Sequence, residues 1–426
     1  MGKLEKYTSY KDSGVEWLGE IPEHWGILKA KYFHKNLKAL NTKRICDNVL
    51  SLTLRGVVNN NIDAPEGLVP KDYATYQIFE KDDLVFKLID LENISTSRVG
   101  IVHEKGIMSS AYIRLKTGKN SIPRFAYYYY YSLYINQVYN NIGSGVRSTL
   151  GPNDLLNIAY IEPSIDEQSQ IISFLDVKTA QIDNAISQKE KLIELLKERR
   201  QITINEAVTK GLDKDVEFKD SGVEWIGEIP KHWEVIRSKR LFQQRKDRAR
   251  KGDRQLTASQ KYGVIFQDEF MELEGRKVTQ VEHNYEILKR AEKGDFLISM
   301  RSFQGGIEYC RETGSVSSAY VALIPIKHVV PEYFKYLLKS QKYITALSST
   351  SNLVRDGQAL RFENFSMVDL LVIPEEEQVQ IAEYIDKQTA KIDKAIELQQ
   401  NYIAKLKEYK ASLIDSVVTG KVRVAL

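Results

Sequence analysis

Two stretches of the chain carry apolar residues at steps of four and seven, closing on a step of three, on a charged background, and they are in register with each other. In residues 168–209 the series is Ile171, Leu175, Ile182, Ile186, Ile193 and Leu196. In residues 378–419 it is Ile381, Ile385, Ile392, Ile396, Ile403 and Leu406, 210 residues later and without a gap. Such steps keep to one narrow helical face, which is the seam of a coiled coil rather than the broad face of a core helix. Each stretch predicts a helix of about 42 residues, roughly 60 Å long at 1.5 Å per residue. Ser164 and Glu167 have the spacing of a capping box, and Gly211 and Gly420 stand where each helix must stop. Lys189 and Gln399 interrupt the seam with polar groups, which costs stability and fixes register. A lone helix cannot bury this stripe, so the two copies are each other's expected partners. If the residues between them fold as one domain with neighbouring ends, the helices leave it side by side and run antiparallel.

The repeat extends beyond the helices. Residues 11–25 read KDSGVEWLGEIPEHW and residues 219–233 read KDSGVEWIGEIPKHW, agreeing at thirteen of fifteen positions at an offset of 208. The unit of repetition is therefore the half-chain, a globular body followed by a helix. All four tryptophans, Trp17, Trp25, Trp225 and Trp233, lie in this segment, where they are expected to anchor the entry of each domain. His24 and His232 have no nucleophile or carboxylate constellation beside them and read as structural. The bodies between signature and helix hardly align, but landmarks survive. Ser109-Ser-Ala-Tyr112 answers Ser317-Ser-Ala-Tyr320, Asp83 answers Asp295, and Pro123 and Pro331 each open a Tyr/Phe-rich helix. The Tyr127–Tyr131 run suggests a base-stacking platform, but its counterpart at 334–338 is ordinary helix-core material, so core is the preferred reading. Short strand-like runs at 83–86, 100–103, 111–115 and 320–324 predict α+β bodies with mixed sheets. The expected fold is two globular domains joined by two long antiparallel helices in a coiled coil, with pseudo-two-fold symmetry. The boundaries read as 1–163, 164–212, 213–374 and 375–426.

Composition narrows the class. Apolar content of 42% and charged content of 28% are those of a globular protein. No run of 18 apolar residues exists and the first residues contain no apolar signal segment, so a cytoplasmic location is expected and no membrane. Two cysteines, Cys46 and Cys310, form no metal spacing.

Net charge is only +4, but its distribution is uneven. Residues 237–254 hold nine Lys or Arg against two Asp, among them Arg237, Lys239, Arg240, Arg245, Lys246, Arg248 and Arg250. Lys29, Lys31, Lys35, Lys38, Lys43 and Arg44 occupy the matching place in the first body. Two basic clusters at equivalent positions favour phosphate contacts on double-stranded DNA over a merely solvated surface. Base reading then needs donors and acceptors on nearby loops. Candidates are Arg301 and Gln304 in the second body and Arg98 in the equivalent loop of the first. Arg147 and Arg355, in the paired loops 143–148 and 352–358, are further candidates. No nucleotide-binding, metal-hydrolase, methyl-donor or nuclease motif is found. A protein that reads DNA without chemistry directs a partner that has it.

Two half-chains that open on SGVEWLGEIPEHW-like residues and close on an EQxxIxxxLDxxTAxID-type helix resemble the specificity subunits of type I restriction–modification systems. Residues 167–183 and 377–393 carry the second signature, and the resemblance covers essentially the whole chain. It implies two target-recognition domains, each reading one half of a bipartite, asymmetric DNA site, and helices that set the unspecific spacer between the halves. It further implies no catalysis and no cofactor bound by this chain. Two modification subunits using S-adenosylmethionine would dock on polar helix faces such as Lys197–Arg200 and Lys405–Glu408. Two restriction subunits using ATP and Mg would complete the complex. The rival readings are a coiled-coil adaptor that never touches DNA, an enzyme with a hidden site, and a spare specificity subunit.

Overall fold

The computed structural model describes residues 4–61, 70, 72–89, 91, 98–142, 149–275, 277–278, 285–300, 302–350 and 360–424. The chain divides into two units, one of residues 1–189 and 401–426, the other of residues 190–400.

In the first unit the signature segment forms a hairpin, Tyr10–Asp12 against Glu20–Pro22, and delivers Trp25 into the core with none of its surface exposed. Strand Gly26–Lys29 then pairs with Ala159–Glu162, which leads directly into the first long helix. A four-stranded antiparallel sheet runs in the order Arg98–Ile101, Leu84–Lys87, Ile113–Thr117, His34–Asn36. Helix Pro123–Ile135 packs on it, opened by a proline whose missing N–H is harmless in the first turn. Its Tyr128, Tyr129 and Tyr130 are buried, and the Tyr129 hydroxyl donates to the Ala159 carbonyl at 2.6 Å. The tyrosine run is core. A smaller second core forms under the hairpin Leu50–Thr53/Gly56–Asn59 and the ribbon Gln77–Phe79/Gly106–Met108. Strand Leu4–Glu5 pairs with Arg423–Val424, so the two ends of the described chain meet in one ladder.

The second unit repeats this plan with a different sequence. Its entry hairpin is Phe218–Asp220/Glu228–Pro230, and its sheet runs Phe242–Gln244, Val321–Pro325, Phe296–Ile298, Glu308–Tyr309. The small core lies under Leu256–Ser259/Gly263–Phe266 and Lys289–Ala291/Gly314–Val316. Helix Gln267–Glu274, ended by Gly275 at φ 64°, follows the hairpin. Every strand pairing among the described residues is antiparallel. The mixed character rests on single parallel bridges, Val49–Ile107 in the first unit and Gln255–Ser315 and Val264–Cys310 in the second.

The long helices span Ile165–Lys210 and Glu375–Val418. In the first unit Asp183 meets Lys410 at 2.7 Å and Lys189 lies over the Tyr402 ring at 4.5 Å. Numbering climbs on one helix as it falls on the other, which makes the pair antiparallel. In the second unit Arg200 meets Asp393 at 3.3 Å, and Ile204 and Val208 share a core with Ile381 and Ile385. Ile171, Leu175, Ile182, Ile186, Ile193, Ile381, Ile385 and Ile392 are buried, each worth about 1.5–3 kcal/mol of apolar transfer. Leu196, Ile396, Ile403 and Leu406 are half-buried.

Candidate nucleic-acid interface

The parts of the sequence that repeat are those that fix each body to its helix. Ser164 and Glu167 exchange backbone bonds at 3.2 Å in the expected capping box. The same Glu167 carboxylate binds His24 Nε2 at 2.8 Å and accepts from Trp25 Nε1 at 3.2 Å. Burial opposes its charge, but hydrogen bonds from His24, Trp25 and Ser164 hold the carboxyl below the usual carboxylate range. In the second unit Glu377 binds His232 at 2.7 Å and Trp233 at 3.0 Å. The neighbouring glutamines are fully buried. Gln168 accepts from Ile122 N–H and donates to the Asn120 and Pro163 carbonyls; Gln378 does the same with Val330, His328 and Ile373. The helix-closing glycines complete the joint. Gly420, at φ 79°, lies against Pro22 and Trp25, and Gly211, at φ 77°, against Trp233. A side chain has no room at Gly420 and would press on the Trp233 ring at Gly211.

On the scaffold so fixed, the basic residues separate into two kinds. In the first domain Lys29, Lys31 and Lys35 are exposed on strand Gly26–Lys29, turn Ala30–Tyr32 and strand His34–Asn36, with no carboxylate partner among the described residues. Lys43 is exposed in the following turn, and Arg44 is tied to Asp72 at 3.1 Å. Arg98 is half-buried directly across from Lys87 in the sheet register. Burial, and then the Arg98 charge, push the Lys87 ammonium below its ordinary pKa.

In the second domain Lys239 and Lys246 are exposed, as are Arg240 and Arg250. Arg237 is exposed but held by the Met367 carbonyl at 2.9 Å and Asp369 at 3.3 Å. Arg248 sits across from Lys289, whose ammonium burial and Arg248 push down. Gln304 is exposed on the short helix Ser302–Gly305, at the rim of a groove shared with Gln260, Tyr262 and Arg311.

Arg245 corrects the expectation drawn from the charge cluster. Its side chain is only 10% exposed and clasps Asp295 with Nε at 2.6 Å and Nη2 at 3.0 Å. It is an internal counter-ion and has nothing to offer a phosphate. The first domain has the same arrangement built differently: there Arg114, from the next strand, meets Asp83 at 2.6 Å. Arg147, Arg301 and Arg355 lie outside the described residues. Lys87 and Lys289, not singled out from the sequence, stand beside Arg98 and Arg248. The signal was present: each is a lysine at the border of an apolar strand, where an unpaired charge needs a reason.

Among the described residues no group of three or more His, Cys, Asp or Glu is placed to hold a metal ion, and no helix is long and apolar enough to cross a membrane. The chain matches the family model of the type I restriction modification DNA specificity domain twice, over residues 35–196 and 230–408. It is 24% identical, over 96% of both chains, to a protein assigned as the MjaX type I restriction enzyme specificity subunit of Methanocaldococcus jannaschii. It is 26% identical to the MjaVIII specificity subunit of the same organism, over 52% of this chain and 50% of that one. Among solved structures, a chain from "Structural basis underlying complex assembly and conformational transition of the type I R-M system" superposes with a TM-score of 0.66 at 14% identity. That match covers 93% of this chain and 98% of the other.

Proposed function

The chain belongs to the family of type I restriction modification DNA specificity domains, and on this basis we propose that its two domains each read one half of a bipartite DNA site for partner subunits that act on it. It is a specificity subunit with the DNA specificity domain present twice. The observation that carries the division of labour is the contrast within each half-chain. The Glu–Gln clamp, its His–Trp partners and the closing glycine are the same in both. The bodies they hold share a fold and little sequence. One attachment and two different surfaces suit one task performed on two different half-sites.

The exposed cations Lys29, Lys31, Lys35, Lys43, Arg237, Lys239, Arg240, Lys246, Arg248 and Arg250 are the proposed phosphate contacts, joined by Arg98 and with Gln304 as a base reader. The adaptor reading leaves unexplained why lysines recur without carboxylate partners at equivalent places, Lys31 with Lys239 and Lys38 with Lys246. Two modification subunits would dock along the helices. There Leu192, Leu195 and Ile202 of the first helix and Tyr402 and Tyr409 of the second stay exposed, although apolar. Such residues on a charged helix suit a protein partner. Catalysis, S-adenosylmethionine, ATP and Mg would belong to those modification subunits and to two restriction subunits, all in the cytoplasm, and none to this chain.

The experiment is to co-express the chain with its modification subunit and map adenine methylation across the host genome. One two-part motif with a fixed gap is the expected result. No new methylation from an assembled complex would sink the reading.

A further inference from the structure

One turn, half-buried in the first domain and exposed in the second, is identical in two bodies whose sequences otherwise hardly align. Ser109-Ser-Ala-Tyr112 joins the ribbon strand Gly106–Met108 to the sheet strand Ile113–Thr117, and Ser317-Ser-Ala-Tyr320 joins Gly314–Val316 to Val321–Pro325. Folding accounts for half of it. Ser109 Oγ accepts from Ala111 N–H at 3.3 Å and its carbonyl from Tyr112 N–H at 3.1 Å; Ser317 repeats this at 3.3 and 3.0 Å. The Tyr112 carbonyl is held by Gln77 Nε2 at 2.6 Å and the Tyr320 carbonyl by Lys289 Nζ at 2.7 Å. Two unlike side chains thus keep the turn in one place, while the tyrosine rings pack on the small cores.

Folding does not account for the second serine or for the lysine beside it. The hydroxyls of Ser110 and Ser318 have no hydrogen-bond partner among the described residues. Lys38 and Lys246 are exposed, again without a carboxylate partner among the described residues. Both lysines leave the sheet at the same point. The preceding residue bonds across to the strand after the turn, Leu37 N–H to Arg114 at 3.3 Å and Arg245 N–H to Ala322 at 2.8 Å. In the first domain Lys38 lines one cleft with Ser110, Ala111 and Tyr112. A cation also stands at each turn, Arg98 acting on Tyr112 in one domain and Lys289 on the Tyr320 carbonyl in the other.

Loops that read different bases must differ, so a contact kept identical in both domains carries no sequence information. An ammonium and a hydroxyl on a tight turn are the groups that grip the DNA backbone. We propose that Lys38 with Ser110, and Lys246 with Ser318, make the same phosphate contact once per domain and set each domain's register on the duplex. This rests on the DNA-reading function proposed above.

The test uses the full chain co-purified with its modification subunits, titrated against salt on its own bipartite duplex and on a scrambled one. K38A and K246A should each lower the slope of log affinity against log salt by about 0.9. The affinity ratio between 50 and 200 mM salt then shrinks by about 3.5-fold per lysine, equally on both duplexes. S110A and S318A should weaken both duplexes alike without changing the slope. Unchanged affinity and slope in all four variants, lost preference at a single half-site, or loss of the co-purified subunits would each overturn the proposal. Failure of the wild-type complex to prefer its own duplex would overturn the DNA-reading function itself.

Discussion

His34 fills, in the first domain, the place that Phe242 fills in the second, and its burial makes the stability of that domain depend on pH. The ring is 2% exposed, 4.8 Å from Tyr160 and 5.4 Å from Tyr130, and neither nitrogen has a hydrogen-bond partner among the described residues. Burial pushes its pKa from about 6.5 down to about 3. The unfolded chain therefore takes up the proton first. Stability from the neutral ring is complete above about pH 6.5 and is lost as pH falls from there toward about 3. At pH 5 the unfolded imidazole lies about 1.5 units below its pKa and the folded one is still neutral, which costs about 2 kcal/mol at about 1.36 kcal/mol per unit. That is a sizeable part of the roughly 5–15 kcal/mol that a domain has. His34→Phe puts the second domain's residue in the same slot and removes the proton site. Urea unfolding of the full chain at pH 7.5 and pH 5, read in first-domain peptides by pulsed hydrogen exchange, measures the difference. Wild type should lose about 2 kcal/mol more than the variant between the two pH values. Packing changes and carboxylate titration enter both proteins or both pH values alike and cancel. Parallel losses would refute the reasoning.

Gln168→Ala and Gln378→Ala should each cost about 2–4 kcal/mol, because each strands a buried N–H and two carbonyls, and a shift in the urea midpoint measures it. Gly420→Ala should cost about 2–3 kcal/mol, since its new Cβ would stand 2.5 Å from Pro22 and 2.8 Å from Trp25 at a positive φ. Gly14→Ala, at a similar φ with nothing within 4 Å, should cost only about 1 kcal/mol, and tryptophan fluorescence melts separate the two. Arg245→Ala should destabilise by about 3–5 kcal/mol by leaving the Asp295 carboxylate buried and unpaired. The base preference of the protein that still folds should not change, as a methylation map would show. Removing one heptad from each long helix should shorten the unspecific gap in the methylated motif and leave both half-sites intact.

The helices and the doubling were legible because both are periodic signals. A seam with steps of four and seven has one structural solution, and an identical segment at a fixed offset has one topological meaning. The capping box at Ser164 and Glu167 was equally local. What Glu167 and Gln168 do beyond the cap was not. Their partners His24 and Trp25 are more than 140 residues away in the chain, and only folding brings the two repeated motifs together. A clue was available: two motifs that repeat within bodies that do not are under one constraint, and contact is the simplest one. The small second core was missed for a plainer reason. Its strands are three to four residues long and too short to show alternation.

Arginine shows where a reading of charge along the chain stops. Arg245 and Lys246 are neighbours in one basic run, yet the first is spent on Asp295 inside the domain and the second faces solvent. Successive residues of an extended strand point to opposite sides, so charge density cannot tell which cation is inside. The repeat can. Asp83 and Asp295 are the same landmark, and a buried carboxylate needs a counter-ion wherever the fold keeps it. In the first domain Arg114 supplies it and Leu37 stands in Arg245's place; in the second Arg245 supplies it and Ala322 stands in Arg114's. The requirement is shared and the residue that meets it is not. Lys38 and Lys246 are the opposite case, the same residue at the same place with no carboxylate to balance. A cation that can move between strands serves the fold. One that stays put with nothing inside to hold it answers to something outside the chain. Grafting the first domain's solution onto the second tests this directly. In Arg245→Leu with Ala322→Arg, urea stability should return most of the way to wild type. If it stays as low as in Arg245→Ala, the two ion pairs are not interchangeable and the inference from the repeat fails.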